Sequence, residues 1–297
     1  MRTVRTSEPE VFLIAQSKVN REQVDKWMKY LQLNSIEDNF SDLAIVKDPS
    51  LLVALAAKRC YMSQQVSGHN PNVTKVRNNI VEYLDNVLKQ KHGSVLEHAV
   101  FTFVIEGVSR VFTAEMNRHR AGWAISEGSL RYIRFGQGIQ YRKSMFLEGP
   151  DVLPASDLEV QLALLEAGAP TSLSRDEKKQ LSRWIRQKAF EQQSRDYSLL
   201  ELVWKDELSP ESSMTLKKKL TSMLRDIIGL GVITGGVWTG NIRALRHVIA
   251  LRTDSSAEEE ICLVFSKVIS IMQREAPELF GDFVFSDLGW KPRYEKV

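Results

Sequence analysis

A cluster of cationic and hydroxyl-bearing residues in the middle of the chain constrains the fold more than any other feature of the sequence. Arg118-His119-Arg120 is followed closely by Ser126-Glu127-Gly128-Ser129-Leu130-Arg131-Tyr132. The fifteen residues 118–132 include three arginines, one histidine, two serines and one glutamate. Guanidinium and hydroxyl groups hold phosphorylated ligands by charge-assisted hydrogen bonds. The sequence therefore predicts that the chain folds around a site for a polyanionic ligand.

The positive charge of the chain is concentrated in this segment. Between Arg110 and Arg134 there are five arginines and two glutamates, which gives a net charge of +3, equal to the formal charge of all 297 residues. Hydrophobic residues make up 43% and charged residues 26%, which is ordinary for a globular protein and argues against disorder. The longest weakly polar run, residues 227–238, is too short and too rich in glycine to span a membrane. With no secretory signal in residues 1–10, we expect a cytoplasmic protein that does not bind membranes.

The two cysteines, Cys60 and Cys262, are too few for a disulfide framework and fit a reducing compartment. Each lies in an apolar stretch, and buried cysteine usually behaves as a small hydrophobic residue. We therefore expect both to be packing residues.

Hydrophobic periodicity in the first part of the chain predicts alternating helices and strands. We expect a strand over residues 11–15, a helix over 42–60 and an amphipathic helix over 73–88 that Gly93 ends. Residues 99–106 are rich in Val, Phe, Thr and Ile and predict a strand that Gly107 breaks. Ser109 then caps a helix that begins at Arg110 and is ended by Gly122.

The second part of the chain is predicted to be mainly helical. Residues 151–212 favour two helices, and Leu220 to Ile228 lie on another, which four glycines between 229 and 236 end. A helix over 239–251 has a buried apolar stripe and places Arg243 beside His247 at i, i+4. Ser255 with Glu258, or Ser256 with Glu259, predicts a capping box for the last long helix, before Pro277.

Three separated blocks of the sequence resemble the flavin-dependent thymidylate synthases. The first is His92-Gly93-Ser94-Val95-Leu96-Glu97-His98 with the strand-like residues 101–110, the second is the arginine-rich segment above, and the third is Gly240-Asn241-Ile242-Arg243-Ala244-Leu245-Arg246-His247 with Leu251-Arg252. The resemblance implies an α+β fold, with a mainly antiparallel sheet flanked by long helices. It also implies one domain over residues 1–297, with an enlarged helical segment at about 151–212.

The activity implied by the resemblance is reductive methylation of dUMP to dTMP. FAD is the implied cofactor, 5,10-methylenetetrahydrofolate the carbon donor and NADPH the reductant, with no enzyme nucleophile. The resemblance further implies a homotetramer whose active sites are shared between subunits.

Site residues also follow from the resemblance. The residues implied to bind the cofactor are Ser94, Glu97, Arg118, His119, Arg120, Glu127, Asn241, Ile242, Arg243 and His247. Those implied to bind the substrate are Glu115, Met116, Asn117, Arg118, Glu127, Gly128, Ser129, Leu130, Arg131, Arg225 and Arg252. Arg252 is the implied catalytic residue, because a fixed guanidinium stabilises negative charge on the N3–O4 edge of the pyrimidine.

Other interpretations remain open at this point. Arg118, Arg120 and Arg131 are compatible with a solvated face, and Arg252 with a helix C-terminus favoured by the macrodipole. His92 and His98 lack the spacing of a zinc helix, so we expect no metal. Eight residues separate Arg120 from Ser129, one more than is usual in the family, which suggests a divergent relative that modifies C5 of another pyrimidine nucleotide. The alternative from another class is a non-catalytic nucleic-acid-binding protein.

Overall fold

The protein has an α+β fold, described by a computed structural model over residues 5–66, 68, 70–136, 138–170 and 172–295. The strands are β1 Arg5–Ser7, β2 Glu10–Gln16, β3 Val100–Ser109, β4 Trp123–Glu127, β5 Gln140–Arg142, β6 Ile233–Asn241, β7 Phe283–Ser286 and β8 Gly289–Pro292. The helices are α1 Arg21–Tyr30, α2 Ile36–Asn39, α3 Asp48–Tyr61, α4 Ile80–Lys89, α5 Arg110–Met116, α6 Ala155–Glu166, α7 Arg175–Val203, α8 Met214–Leu224, α9 Ile242–Arg252, α10 Glu259–Glu275 and α11 Pro277–Phe280. Short 3-10 helices cover Gly93–Glu97 and Arg225–Ile227.

A four-stranded sheet has the order β2-β3-β6-β4. β2 and β3 are antiparallel, with Glu10 opposite Glu106 and a register shift between Leu13 and Ala15. β7 and β8 form an antiparallel pair, and β1 pairs with β5 in parallel. The expected combination of antiparallel sheet and helices is confirmed.

The chain divides into two compact units. Unit 1 consists of residues 1–8, 107–114 and 127–235, and unit 2 consists of residues 9–106, 115–126 and 236–297. The expectation of a single domain stays a prediction.

Unit 2 is built around the side chains that the four-stranded sheet and its helices bury. α9 packs on α10, α3 packs on α4, and α10 lies against β2. Trp238, Phe101 and Phe265 are among the largest fully buried side chains. Burial of aromatic side chains of this size is the main favourable contribution to such a core.

Unit 1 has its own hydrophobic core, formed by residues from the middle of the chain. Its buried members are Ile139, Tyr141, Tyr197, Leu208, Leu220, Leu224 and Val232. The Tyr141 ring stacks on Phe190 of α7, with 4.0 Å between ring centroids. α7 begins with a capping box between Ser174 and Glu177, and together with α6 it provides the two helices expected over residues 151–212.

Two predicted helix starts are wrong because an acidic side chain caps a distant helix. Asp42 was expected inside a helix, but its carboxylate accepts hydrogen bonds from the N–H groups of Ile80 and Val81 at 2.7 to 3.2 Å. Asn79 caps the same turn. α3 begins at Asp48, with Pro49 in its first turn, and α4 begins at Ile80 rather than at Val73. α4 also ends at Lys89, before Gly93.

Two strand boundaries were predicted wrongly at glycines. Gly107 has a φ of 74° but lies within β3, which continues to Ser109. Residues 233–241 form β6 despite three glycines, so Thr239 lies inside a strand and the helix begins only at Ile242. A Cβ atom on Gly240 would lie 2.8 Å from the Trp123 ring. The glycine is thus required by packing of the neighbouring side chain, which local propensity does not reveal.

Helix ends and one cysteine also differ from expectation. Ser109 Oγ accepts the N–H groups of Val111 and Phe112, as predicted, but α5 ends at Met116, well before Gly122. Glu258 itself caps α10, so neither proposed capping box forms there. Cys60 is exposed rather than packed, because it faces outward from the last turn of α3.

Lys58 on α3 is buried without a hydrogen-bond acceptor in the described part of the chain. Its side chain lies over the rings of Phe40 and Tyr83, with Nζ 5.0 and 5.3 Å from the centroids, and the residue is 1% exposed. Burial lowers the pKa of the ammonium to about 8, because desolvation disfavours the charged form.

Lys58→Met is expected to stabilise the fold at neutral pH by about 1–3 kcal/mol. At pH values below its folded pKa, the Lys58 ammonium is charged, and its burial lowers the free energy of unfolding. This destabilisation disappears as pH rises from the folded pKa to the pKa of the unfolded state. The gain should therefore shrink above pH 8. Urea unfolding at neutral and alkaline pH measures it, with exposed Lys89→Met as a control that brings no such gain. A loss of stability in Lys58→Met at neutral pH would contradict the prediction.

Candidate functional site

Helix α9 organises the candidate site in unit 2. Asn241 caps it by accepting the N–H of Ala244 at 2.8 Å, and Arg252 is its last residue, about 16 Å away at 1.5 Å per residue. Arg243 and His247 are exposed on the same side of the helix, as expected for an i, i+4 pair. The helix thus presents polar groups along its length and at both ends.

The Arg118-His119-Arg120 turn is attached to both ends of α9. At one end, Asn241 N–H donates to the Gly122 carbonyl at 3.0 Å. Gly122 has a φ of 77°, and a Cβ there would lie 2.6 Å from the Asn241 amide, so glycine is needed for this approach. At the other end, Arg252 Nε donates to His119 Nε2 at 2.8 Å.

Arg252 is held at two of its three guanidinium nitrogens. Nε contacts His119, and Nη1 forms an ion pair with Glu115 Oε2 at 2.6 Å. Because an arginine Nε–H only donates, His119 Nε2 must be the accepting nitrogen of a neutral imidazole. Nη2 makes no hydrogen bond to any described residue.

The surroundings of His119 favour this neutral form. Burial lowers the pKa of His119, and the neighbouring Arg252, His247 and Arg118 lower it further, against the opposing effect of Glu115. The His247 ring lies nearly perpendicular to the His119 ring, with 6.4 Å between centroids.

A second ion pair lies at the N-terminal part of α9. Arg243 Nη1 contacts Glu97 Oε1 at 2.6 Å, and both side chains are about half exposed. Glu97 and the exposed Ser94 belong to the same 3-10 helix. Exposed pairs of this kind stabilise a fold by about 0–1 kcal/mol, so the arrangement leaves Arg243 accessible to an anionic ligand.

Some predicted site residues of unit 2 do not present their side chains to solvent. Ile242 is fully buried, and its N–H donates to the Ala99 carbonyl at 3.1 Å. Met116 is also buried, and Asn117 is half-buried. Arg118 and Arg120, in contrast, are exposed.

Unit 1 contains the predicted substrate-binding segment 127–131. Arg110 Nη1 pairs with Glu127 at 2.7 Å, and its Nη2 donates to the Gly128 carbonyl. The Ser129 carbonyl accepts the N–H groups of Tyr132 and Ile133 at 3.0 Å. Ser129 and Arg131 are themselves exposed. The segment is thus a turn fixed by backbone bonds, in which the exposed Ser129 hydroxyl accepts the Arg131 N–H at 3.4 Å and the Arg131 side chain is exposed.

Two residues near this turn were missed by the sequence analysis. The sequence analysis counted Arg110 only as one of five positive charges. In the structure, Arg110 is the residue that holds Glu127 and Gly128 in place. Lys218 lies over the Tyr132 ring, with Nζ 5.0 Å from the centroid, and its hydrogen bond lowers the pKa of the Tyr132 phenol. Residues 217–219 are all lysines, so the sequence does not indicate which of them faces the turn. The predicted Arg225 is exposed in the 3-10 helix after α8.

The sequence profile of thymidylate synthase complementing proteins, Thy1, matches residues 43–278. The chain belongs to this family. The resemblance to flavin-dependent thymidylate synthases is thereby confirmed, and the chain is an enzyme of the methyltransferase class rather than a non-catalytic nucleic-acid-binding protein.

Individual Thy1 relatives agree with this assignment. The flavin-dependent thymidylate synthase of Mycobacteroides abscessus is 29% identical over 237 residues, which cover 80% of each chain. That of Geobacter sulfurreducens is 40% identical over 93 residues, covering 31% of this chain and 39% of the relative. The crystal structure of the UMP/dUMP methylase PolB from Streptomyces cacaoi, bound with 5-Br UMP, has the same fold, with a TM-score of 0.56, 17% identity, and coverage of 95% and 96%.

Neither a metal site nor a membrane-spanning helix is found among the described residues. They contain no group of three His, Cys, Asp or Glu side chains placed to hold a metal ion. His92 instead packs against the Tyr61 ring, with 4.7 Å between ring centroids. None of the described helices combines the length and apolar character that crossing a membrane requires.

Arg246, which lies in the third family block, is a structural residue. Its Nη1 and Nη2 contact the two carboxylate oxygens of Asp282 at 2.7 and 2.8 Å, and both side chains are buried. The guanidinium also donates to the Leu279 carbonyl and lies over the Phe283 ring. It therefore joins α9 to the segment after α11.

Arg246→Met is expected to destabilise the fold by about 3–5 kcal/mol, because it leaves the Asp282 carboxylate buried without its partner. Urea unfolding followed by circular dichroism measures the change. Arg243→Met on the same helix is the matched control, and loss of its exposed pair should cost at most about 1 kcal/mol. Equal effects of the two substitutions would refute the assignment of Arg246.

Proposed function

We propose that the protein catalyses the reductive methylation of dUMP to dTMP, using FAD, with 5,10-methylenetetrahydrofolate as carbon donor, NADPH as reductant and no enzyme nucleophile. The observation that carries the proposal is the Arg252 guanidinium, fixed by Glu115 and His119 and retaining Nη2 as a donor. Membership of the family and the names of the relatives support the same reaction.

The donor set of unit 2 suits the diphosphate of FAD. Arg118, Arg120 and Arg243 are exposed cations, and the start of α9 carries the partial positive charge of a helix N-terminus. With them, Ser94, Glu97, His119, Asn241, Ile242 and His247 of the same unit would hold the cofactor. When bound, the flavin supplies redox chemistry and mediates one-carbon transfer.

The residues proposed for dUMP divide between phosphate and base. Ser129, Arg131 and the backbone around Gly128 would bind the phosphate by charge-assisted hydrogen bonds. Arg252 would stabilise negative charge developing on the N3–O4 edge of uracil. Such a fixed donor needs no reorientation during the reaction, which is why a held guanidinium is more effective than a mobile one.

Active sites shared between four subunits complete the proposal, with Arg225 reaching the dUMP of another protomer. The exposed position of Arg225 in the monomer is compatible with this role. Two free cysteines and the nucleotide substrate are compatible with a cytoplasmic enzyme.

A second candidate is a C5 methylase that accepts UMP or another pyrimidine nucleotide. The longer Arg120–Ser129 spacer favours it, because an added residue changes the path of the segment before the predicted phosphate ligand. The PolB likeness supports only the shared fold at 17% identity.

The purified protein is expected to be yellow, to release flavin on denaturation without a covalent bond, and to form dTMP from dUMP. Arg252→Gln should lower turnover by about 10²–10³-fold, while Arg274→Gln, an exposed arginine of α10, serves as the control. Product analysis with dUMP, UMP and dCMP distinguishes the two candidates. A flavin-free protein that forms no dTMP would defeat the first.

Replacing both cysteines with serine should leave turnover intact, because the proposed chemistry needs no enzyme thiol. Cys60 is exposed, and burial raises the pKa of the half-buried Cys262 thiol, which is opposite to the activation of a catalytic thiolate. Turnover and flavin content of the Cys60→Ser, Cys262→Ser protein test this. Loss of turnover with flavin still bound would indicate a cysteine nucleophile.

A further inference from the structure

The Arg252 side chain is fixed by two contacts that come from different elements. Glu115 belongs to α5 and reaches Nη1, whereas His119 lies in the following turn and reaches Nε. A single contact would leave the planar guanidinium free to rotate about that hydrogen bond. Contacts at two nitrogens define the plane of the fork, and with it the direction of Nη2.

We propose that His119 is a positioning residue that acts through Arg252: as a neutral imidazole it accepts the Nε–H, and together with Glu115 it leaves Nη2 as the donor for the pyrimidine edge. The inference rests on the proposed function, because it assigns a role within that site. It gives His119 a task separate from the cofactor contact that the family resemblance implies.

The hold on Arg252 depends on the protonation of His119. An imidazolium has N–H groups at both ring nitrogens and cannot accept the Arg252 Nε–H. The charged and titratable groups that face it are Arg252 and His247 from α9, Glu115 from α5 and Arg118 from its own turn. Burial and the two arginines lower the pKa of His119, so the accepting form is present at neutral pH.

Acid should therefore release Arg252. As pH falls below the depressed pKa of His119, the hydrogen bond is lost and a second cation faces the guanidinium. The added positive charge by itself would attract an anionic ligand, so the two effects oppose each other. Hydrogen bonds to charged groups contribute more than an exposed charge contact does, and we expect loss of orientation to dominate.

The test measures dUMP affinity of the flavin-loaded protein by calorimetry, from below to above pH ~6.5, the ordinary value for histidine. The dUMP phosphate titrates with a pKa of about 6, but this contribution is common to all variants. The wild type should bind dUMP more weakly on the acid side than phosphate titration alone explains. His119→Gln, whose amide oxygen accepts a hydrogen bond without titrating, should keep neutral-pH affinity and lose this additional fall.

His119→Leu should bind dUMP about 10- to 100-fold more weakly across the pH range, because it removes an acceptor to a charged group. His98→Gln, which removes an exposed histidine elsewhere in unit 2, should keep the wild-type pH profile. Thermal melts identify any variant that fails to fold, and His119→Gln then carries the test alone.

Two results would overturn the inference while leaving the proposed function intact. One is that His119→Gln shows the same acid-side fall in dUMP affinity as the wild type. The other is that His119→Gln binds dUMP at neutral pH as weakly as His119→Leu does. Failure of the wild type to bind dUMP at any pH would instead overturn the proposed function and, with it, this inference.

Discussion

The two-point hold on the Arg252 guanidinium is the interaction on which the candidate site in unit 2 depends. It joins the end of α9 to the Arg118-His119-Arg120 turn, and the Gly122–Asn241 hydrogen bond joins the same turn to the start of the helix. The turn is therefore fixed at both ends against one rigid element. Because hydrogen bonds to charged groups are stronger than neutral ones, the Arg252 end is the stronger of the two attachments.

Three arginines of α9 show how burial divides structural from ligand-binding charge. Arg246 is buried, and its two terminal nitrogens are committed to the Asp282 carboxylate and to the Leu279 and Tyr294 carbonyls. Arg243 is exposed, and its ion pair with Glu97 is weak. Arg252 lies between these extremes, partly buried and with one nitrogen uncommitted. Partial burial strengthens its interaction with a developing negative charge, while the uncommitted nitrogen keeps it available.

Helices with a clear apolar stripe were predictable from the sequence, whereas several boundaries and one strand were not. α9 was recognised, but its start shifted because β6 runs through three glycines to Asn241. Glycine lowers strand propensity, yet Gly240 is required where the Trp123 ring packs against it. The start of α4 depends on Asp42, thirty-eight residues away from Ile80 in the chain. Local pattern carries no information about such long-range caps and contacts.

The sequence by itself determined the family, the fold class and the identity of the arginine-rich blocks, because these depend only on residue type and order, which can be read without knowing any contact. Only the tertiary structure decided which arginine does what: Arg246 and Arg243 lie three residues apart on one helix and look equivalent in the sequence. The tertiary structure likewise assigned Arg110 to Glu127 and His119 to Arg252. Partners such as His119 and Arg252, 133 residues apart, are brought together by packing of the whole chain, and the burial and protonation of a side chain follow from that packing.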